Sequence, residues 1–93
     1  MWEIKVKLSL KTANYGDNVD DFFENDFPKT KTFIVNDQFE LFEEKVKLKE
    51  EYACFLIHNL DFQEFNRSKN IKLVSYNDSV FEVVAEEINQ KRI

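Results

Sequence analysis

Cys54 and His58 are the only thiol and the only imidazole in the chain. Four residues apart, they share one face of either a helix or a strand. A thiolate beside an imidazole is a nucleophile for acyl transfer, provided the sulfur meets solvent and a third group orients the ring. The neighbours Ala53, Phe55, Leu56 and Ile57 predict burial instead, where cysteine behaves as a small inert hydrophobe. As zinc ligands the pair would need two carboxylates to complete the set, a combination that structural zinc sites seldom use. A calcium loop counted from Asp17 puts Phe22 at the sixth position and Pro28 at the twelfth, where glycine and glutamate are required. Gly16 is the single glycine, so no phosphate-cradling loop can form. Carboxylate pairs leave no sequence signature, and 18 acids offer too many pairs to choose among. An enzyme is therefore the class least expected, with no catalytic residue, metal or cofactor assigned.

The acids themselves fall in three clusters. Asp17, Asp20, Asp21, Glu24 and Asp26 lie in "GDNVDDFFENDFP", which also holds three phenylalanines and no base. Glu40, Glu43 and Glu44 form the second cluster, and Glu82, Glu86 and Glu87 the third. On a helix, Asp17–Asp21, Asp20–Glu24 and Glu82–Glu86 are like-charge pairs at the spacing that destabilises. Glu24 and Asp26 would sit near a helix C-terminus, where negative charge is disfavoured. Local stability does not account for them. One reading is a solvated face that keeps a Phe-rich chain in solution. The other is a row of carboxylates meeting a basic protein surface, with Phe22, Phe23 or Phe27 as the apolar anchor inside the rim.

The elements that must carry these residues follow from periodicity. Trp2, Ile4, Val6, Leu8 and Leu10 alternate with Glu3, Lys5, Lys7, Ser9 and Lys11, which predicts a half-buried strand over 2–12. Its outer face is basic, as suits an exposed sheet surface. Asn14 to Asn18 read as a turn, and Asp17 or Asn18 can cap a short helix that Pro28 ends. Thr30 to Asn36 reads as a strand through its β-branched content.

The stretch from Gln38 to Leu60 fits two patterns. Phe39, Leu41, Val46 and Leu48 follow period two, while Phe39, Phe42, Val46 and Lys49 line up on a helix that Asp37 and Glu40 would cap. The expectation favours two antiparallel strands, near 38–48 and 52–58. Asp61 and Glu64 open a helical turn that takes Phe62 and Phe65 inward. "NIKLVSYN" reads as a strand. Ser79 and Glu82 resemble a capping box ahead of the stripe Val80, Phe81, Val84, Ala85 and Ile88, which predicts a C-terminal helix over 79–91. The fold class expected is α+β: one small compact domain over 1–93, an antiparallel sheet with helices on one face.

Composition agrees with a globular chain. Apolar residues make up 43%, enough for a core, and the ten phenylalanines have two readings: a Phe-rich core that offsets small size, or a surplus that would lie on a dimer or partner surface. A net charge of −5 argues against direct nucleic-acid binding, because phosphates attract lysine and arginine. "MWEIKVKLSL" is interrupted by charge and does not read as a signal peptide, and no run is long enough to span a bilayer. With one cysteine and no leader, the expected compartment is the cytoplasm, where the sequons at Asn66 and Asn77 carry no sugar.

In size, acid clusters and lack of catalytic motifs the chain resembles the small inhibitors of bacteriophages, among them the DNA-mimic anti-restriction proteins of the Arn type from T-even phages. The resemblance is one of general character over the whole chain, and the 13 basic residues depart from it. It implies a non-enzymatic inhibitor whose carboxylates imitate DNA phosphates and occupy the basic groove of a nuclease or DNA-binding protein. A homodimer would lengthen such a surface. The alternative expectation is an immunity protein or antitoxin that blocks a toxic enzyme by the same electrostatic means.

Overall fold

The computed structural model describes residues 1–12, 27–68 and 70–93, with backbone alone at 66 and 67. Asp17, Asp20, Asp21, Glu24 and Asp26, with the turn and short helix expected around them, lie outside the described residues. The described chain forms β1 (Trp2–Thr12), β2 (Thr30–Val35), α1 (Gln38–Asn59), β3 (Gln63–Ser68), β4 (Ile71–Tyr76) and β5 (Ser79–Arg92). The strands make one sheet in the order β2-β1-β5-β4-β3, with every neighbouring pair antiparallel. It follows that the two edge strands, β2 and β3, run parallel. The helix between them is the crossover that parallel strands require.

β1 forms as its alternation predicts. Ile4, Val6, Leu8 and Leu10 are fully buried on the face that α1 covers. Phe33 and Val35 of β2, Val74 of β4, and Phe81, Val83 and Ala85 of β5 join them in one cluster with Leu41, Leu48, Tyr52, Ala53 and Leu56 of α1. Phe27 packs on Tyr52 and Phe55 with ring centroids 5.3 and 5.4 Å away. Phe62 stacks on Tyr76 at 5.0 Å, closing the core at the other edge.

Residues 38–59 are one helix, not the two strands expected. Only Val46 and Ile57 are β-branched in this segment, which is rich in Glu, Lys and Leu, all good helix formers. Asp37 starts it: the carboxylate accepts the Glu40 N–H at 2.8 Å, and Glu40 in turn accepts the Asn36 N–H at 2.8 Å. The apparent period of two at Val46 and Leu48 has a helical cause. Two residues turn the helix by about 200°, and both flanks are buried at this point. At the other end, side chains close the last turn: Asn59 donates to the Phe55 carbonyl at 2.8 Å and His58 Nδ1 to that of Cys54 at 2.7 Å.

The C-terminal helix is a second correction. Residues 79–92 form the long strand β5, so among the described residues the sheet carries one helix and most of the structure is β. Asn77 and Asp78 both have positive φ, 49° and 64°, between the paired residues Tyr76 and Ser79. That is the two-residue turn whose twist matches a hairpin. Once the hairpin closes, Ser79 is a strand residue and not a cap. Val80 and Val84 then take the open face, while Phe81, Val83 and Ala85 take the helix-covered one. Apolar residues on both faces of a strand mimic a helical stripe. The helical turn expected at Asp61 is likewise strand β3: Phe62 is buried, but Phe65 stands half exposed on the open face.

Candidate functional site

The third acidic cluster is divided by the sheet. In the β1–β5 register Lys11 lies opposite Glu82, Lys7 opposite Glu86 and Glu3 opposite Lys91, all on the open face. Each is an opposite-charge cross-strand pair of the kind that stabilises a sheet. Lys11 Nζ also donates to Glu86 at 2.9 Å. This hydrogen bond, then the charge of Lys11 and more weakly that of Lys7, hold the Glu86 carboxyl below its usual range against a slight opposing effect of burial. Glu87 points to the other face, where Lys45 of α1 reaches it at 3.4 Å. The spacing of Glu82 and Glu86, unfavourable on a helix, is thus complementary to β1 on a strand.

A β-bulge separates these residues from the end of β5. Lys5 pairs with Asn89 but Val6 with Glu87, so Ile88 is the extra residue. Beyond it Gln90 and Arg92 occupy the helix-covered side.

The second cluster is arranged differently. Glu40 and Phe39 lie in the first turn of α1, and Phe42, Glu43 and Glu44 in the second. From Asp37 to Glu44 the chain carries four acids and no base. Phe39 is 74% exposed, the most exposed of the described large apolar side chains, and Phe42, one turn on along the same flank, is 39% exposed. Glu40 is exposed and Glu43 and Glu44 are half-buried. Glu44 has Lys47 at 3.8 Å, on the side leading away from the helix start. Further along, Lys49 donates to the Asn70 carbonyl at 2.7 Å. Burial first, and then the neighbouring Lys45 charge, lower its pKa, with Glu82 acting in the opposite sense.

Of the aromatic anchors expected in the first acidic cluster, Phe27 is half-buried against the core, and Phe22 and Phe23 lie outside the described residues. Among the described residues Phe39 and Phe42 fit the description of an exposed aromatic beside acids. Their i, i+3 spacing was visible in the sequence, but such a stripe reads as inward-facing until the packing of the helix is known.

Cys54 and His58 do share a face of α1, and both are exposed, which reverses the expectation of burial. The imidazole is committed through Nδ1 to the Cys54 backbone carbonyl, a helix-closing bond. Among the described residues no group of three or more His, Cys, Asp or Glu side chains is placed to hold a metal ion. An open cleft of about 480 Å³ beside the β4–β5 turn is lined by Asp61, Gln63, Phe65, Tyr76 and Asp78. A second, of about 360 Å³, lies between Phe27, Lys31, Leu48 and Glu51. No described helix is long and apolar enough to cross a membrane. No family model, curated protein or solved structure matches the chain, and its function is therefore read from these residues alone.

Proposed function

We propose that the protein is an interaction protein of the inhibitor type, which presents the acidic, aromatic start of α1 to a basic surface on another protein. The observation that carries this reading is Phe39, three quarters exposed among Asp37, Glu40 and Glu43. Exposing so large a ring forfeits roughly 1.5–3 kcal/mol of burial, and a partner pocket would recover it. Acids around an aromatic anchor give the charge complementarity that speeds encounter and selects the partner. Glu82, Glu86 and Glu87 contribute less than their number suggests, because each faces a lysine of its own chain. The DNA-mimic form of the proposal has a nuclease or DNA-binding protein as the partner, displaced from DNA by these carboxylates.

The test is capture of partners from a bacterial lysate by the wild-type chain and by Phe39→Ala and Glu43→Gln/Glu44→Gln variants. Glu40 is left intact because it caps the helix. A partner held by the wild type, released by salt and lost from both variants supports the proposal. Equal capture by all three proteins moves the surface elsewhere. Competition of the captured protein between this chain and duplex DNA then decides the mimic form.

A further inference from the structure

β5 has 14 residues and β4 has six. β1 accompanies β5 from Phe81 to Arg92, but β4 pairs with it only from Ser79 to Val83. Among the described residues no strand lies beside the rest of β5 on that side, and Glu86 to Arg92 are all exposed. A sheet edge of this kind is a template for pairing.

Two hydrogen bonds fix which backbone groups face the edge. The Leu8 N–H donates to the Lys29 carbonyl at 2.7 Å, on the β2 side of β1. Its β5 partner, Ala85, therefore turns its N–H and C=O away from β1, and by alternation so does Glu87. At the far end the Ile93 N–H donates to the Met1 carbonyl at 3.1 Å. Ile93 thus faces β1, and Arg92 and Gln90 face away. The bulge at Ile88 absorbs the change of phase. Gln90 supports this assignment: its N–H is taken up by the Asn89 side-chain oxygen at 2.9 Å, where an adjacent strand would supply a carbonyl.

The four outward residues have a two-fold pattern. We propose that the protein forms a homodimer by antiparallel pairing of this β5 edge with the same edge of a second copy, about an axis between Ile88 and Asn89. In that register Ala85 meets Arg92 and Glu87 meets Gln90, each pair offering groups that already point outward. Glu86 meets Lys91 on the open face. The segment is acidic at Glu86 and Glu87 and basic at Lys91 and Arg92, so the axis sets Glu86 opposite Lys91 and Glu87 diagonal to Arg92. Moving the register by one residue sets outward groups against inward ones. The β2 edge lacks this symmetry, because its strand carries lysine and no acid. The proposal is independent of the α1 surface described above.

Sedimentation velocity on the full chain, from about 1 µM to about 1 mM, spans the affinities expected of a short edge contact. The wild type shows a concentration-dependent shift from monomer to dimer. Gln90→Pro removes an N–H that β1 does not use, so the fold is kept and the dissociation constant rises at least about tenfold. Lys91→Glu/Arg92→Glu and Glu86→Lys/Glu87→Lys are each monomeric alone, and their mixture forms a heterodimer. Circular dichroism confirms folding, which matters most for the lysine variant because Glu86 and Glu87 also serve Lys11 and Lys45. A monomer throughout, a dimer indifferent to Gln90→Pro, or folded charge variants that fail to associate on mixing overturns the proposal.

Discussion

Glu86 lies opposite Lys7 across β1 and β5 and accepts a hydrogen bond from Lys11 at 2.9 Å. Its carboxylate binds a proton less readily in the folded chain than in the unfolded one, where glutamate titrates near about 4.3. The interaction therefore stabilises the fold fully above that pH and is lost as pH falls through the lower folded value. In Glu86→Gln the acid limb of a stability–pH curve, between about pH 5 and pH 3, is expected to be shallower. Because the pair is exposed, added salt should narrow the difference between the two proteins. Urea titrations at a series of pH values make the measurement.

Glu64 and Lys72 form an ion pair between β3 and β4 on the helix-covered face, where the Lys72 side chain is only 10% exposed. Lys72→Met leaves a carboxylate largely out of water without its partner. The expected loss is about 2 kcal/mol, below the full value for a deeply buried pair because Glu64 keeps some solvent. Glu64→Gln in the same background should recover part of it. Chemical denaturation of the four proteins in the cycle gives the coupling; additive losses would show that the pair is not the cause.

The β4–β5 turn holds Asn77 and Asp78 at positive φ. Asp78→Gly supplies the residue that tolerates this conformation best and should stabilise the protein by about 0.5–1 kcal/mol, a fraction of the left-handed penalty. Asp78→Val should destabilise by at least as much. A thermal melt reads both changes, and opposite signs are required.

Cys54 is exposed on α1. An aromatic disulfide reagent should therefore titrate one thiol per chain in the folded protein, without denaturant. A thiol that reacts only after unfolding would place Cys54 in the core and contradict the orientation of the helix.

The fold was legible where one face of an element is wet. β1 alternates because its open face meets solvent and the charges of β5, and Asp37 with Glu40 marks the true start of α1. Two features hid the remainder. Val46 and Leu48, on opposite flanks of α1, are both buried and imitate a strand. Val80 and Val84 on one side of β5, with Phe81, Val83 and Ala85 on the other, imitate a helix. Ser79 and Glu82 then supply a false cap, although Asn77-Asp78 between two β-branched runs is itself a hairpin signal. For the site, the lysines that answer Glu82, Glu86 and Glu87 come from β1 and α1, remote in sequence, so no local pattern reveals them. The exposure of Phe39 depends on how the helix lies on the sheet, which its own sequence does not state.

β1 sits near the middle of the sheet, yet its longer partner is β5, the strand farthest from it in sequence among those described. Lys11 and Glu86 meet across 75 positions of sequence. Closing so long a loop costs entropy before any contact repays it. The local pieces, α1 and the β4–β5 hairpin, can form within microseconds. Joining β1 to β5 is then expected to be the slow step of folding. During synthesis β1 is made well before β5, and until β5 emerges the apolar side of β1 lacks that partner.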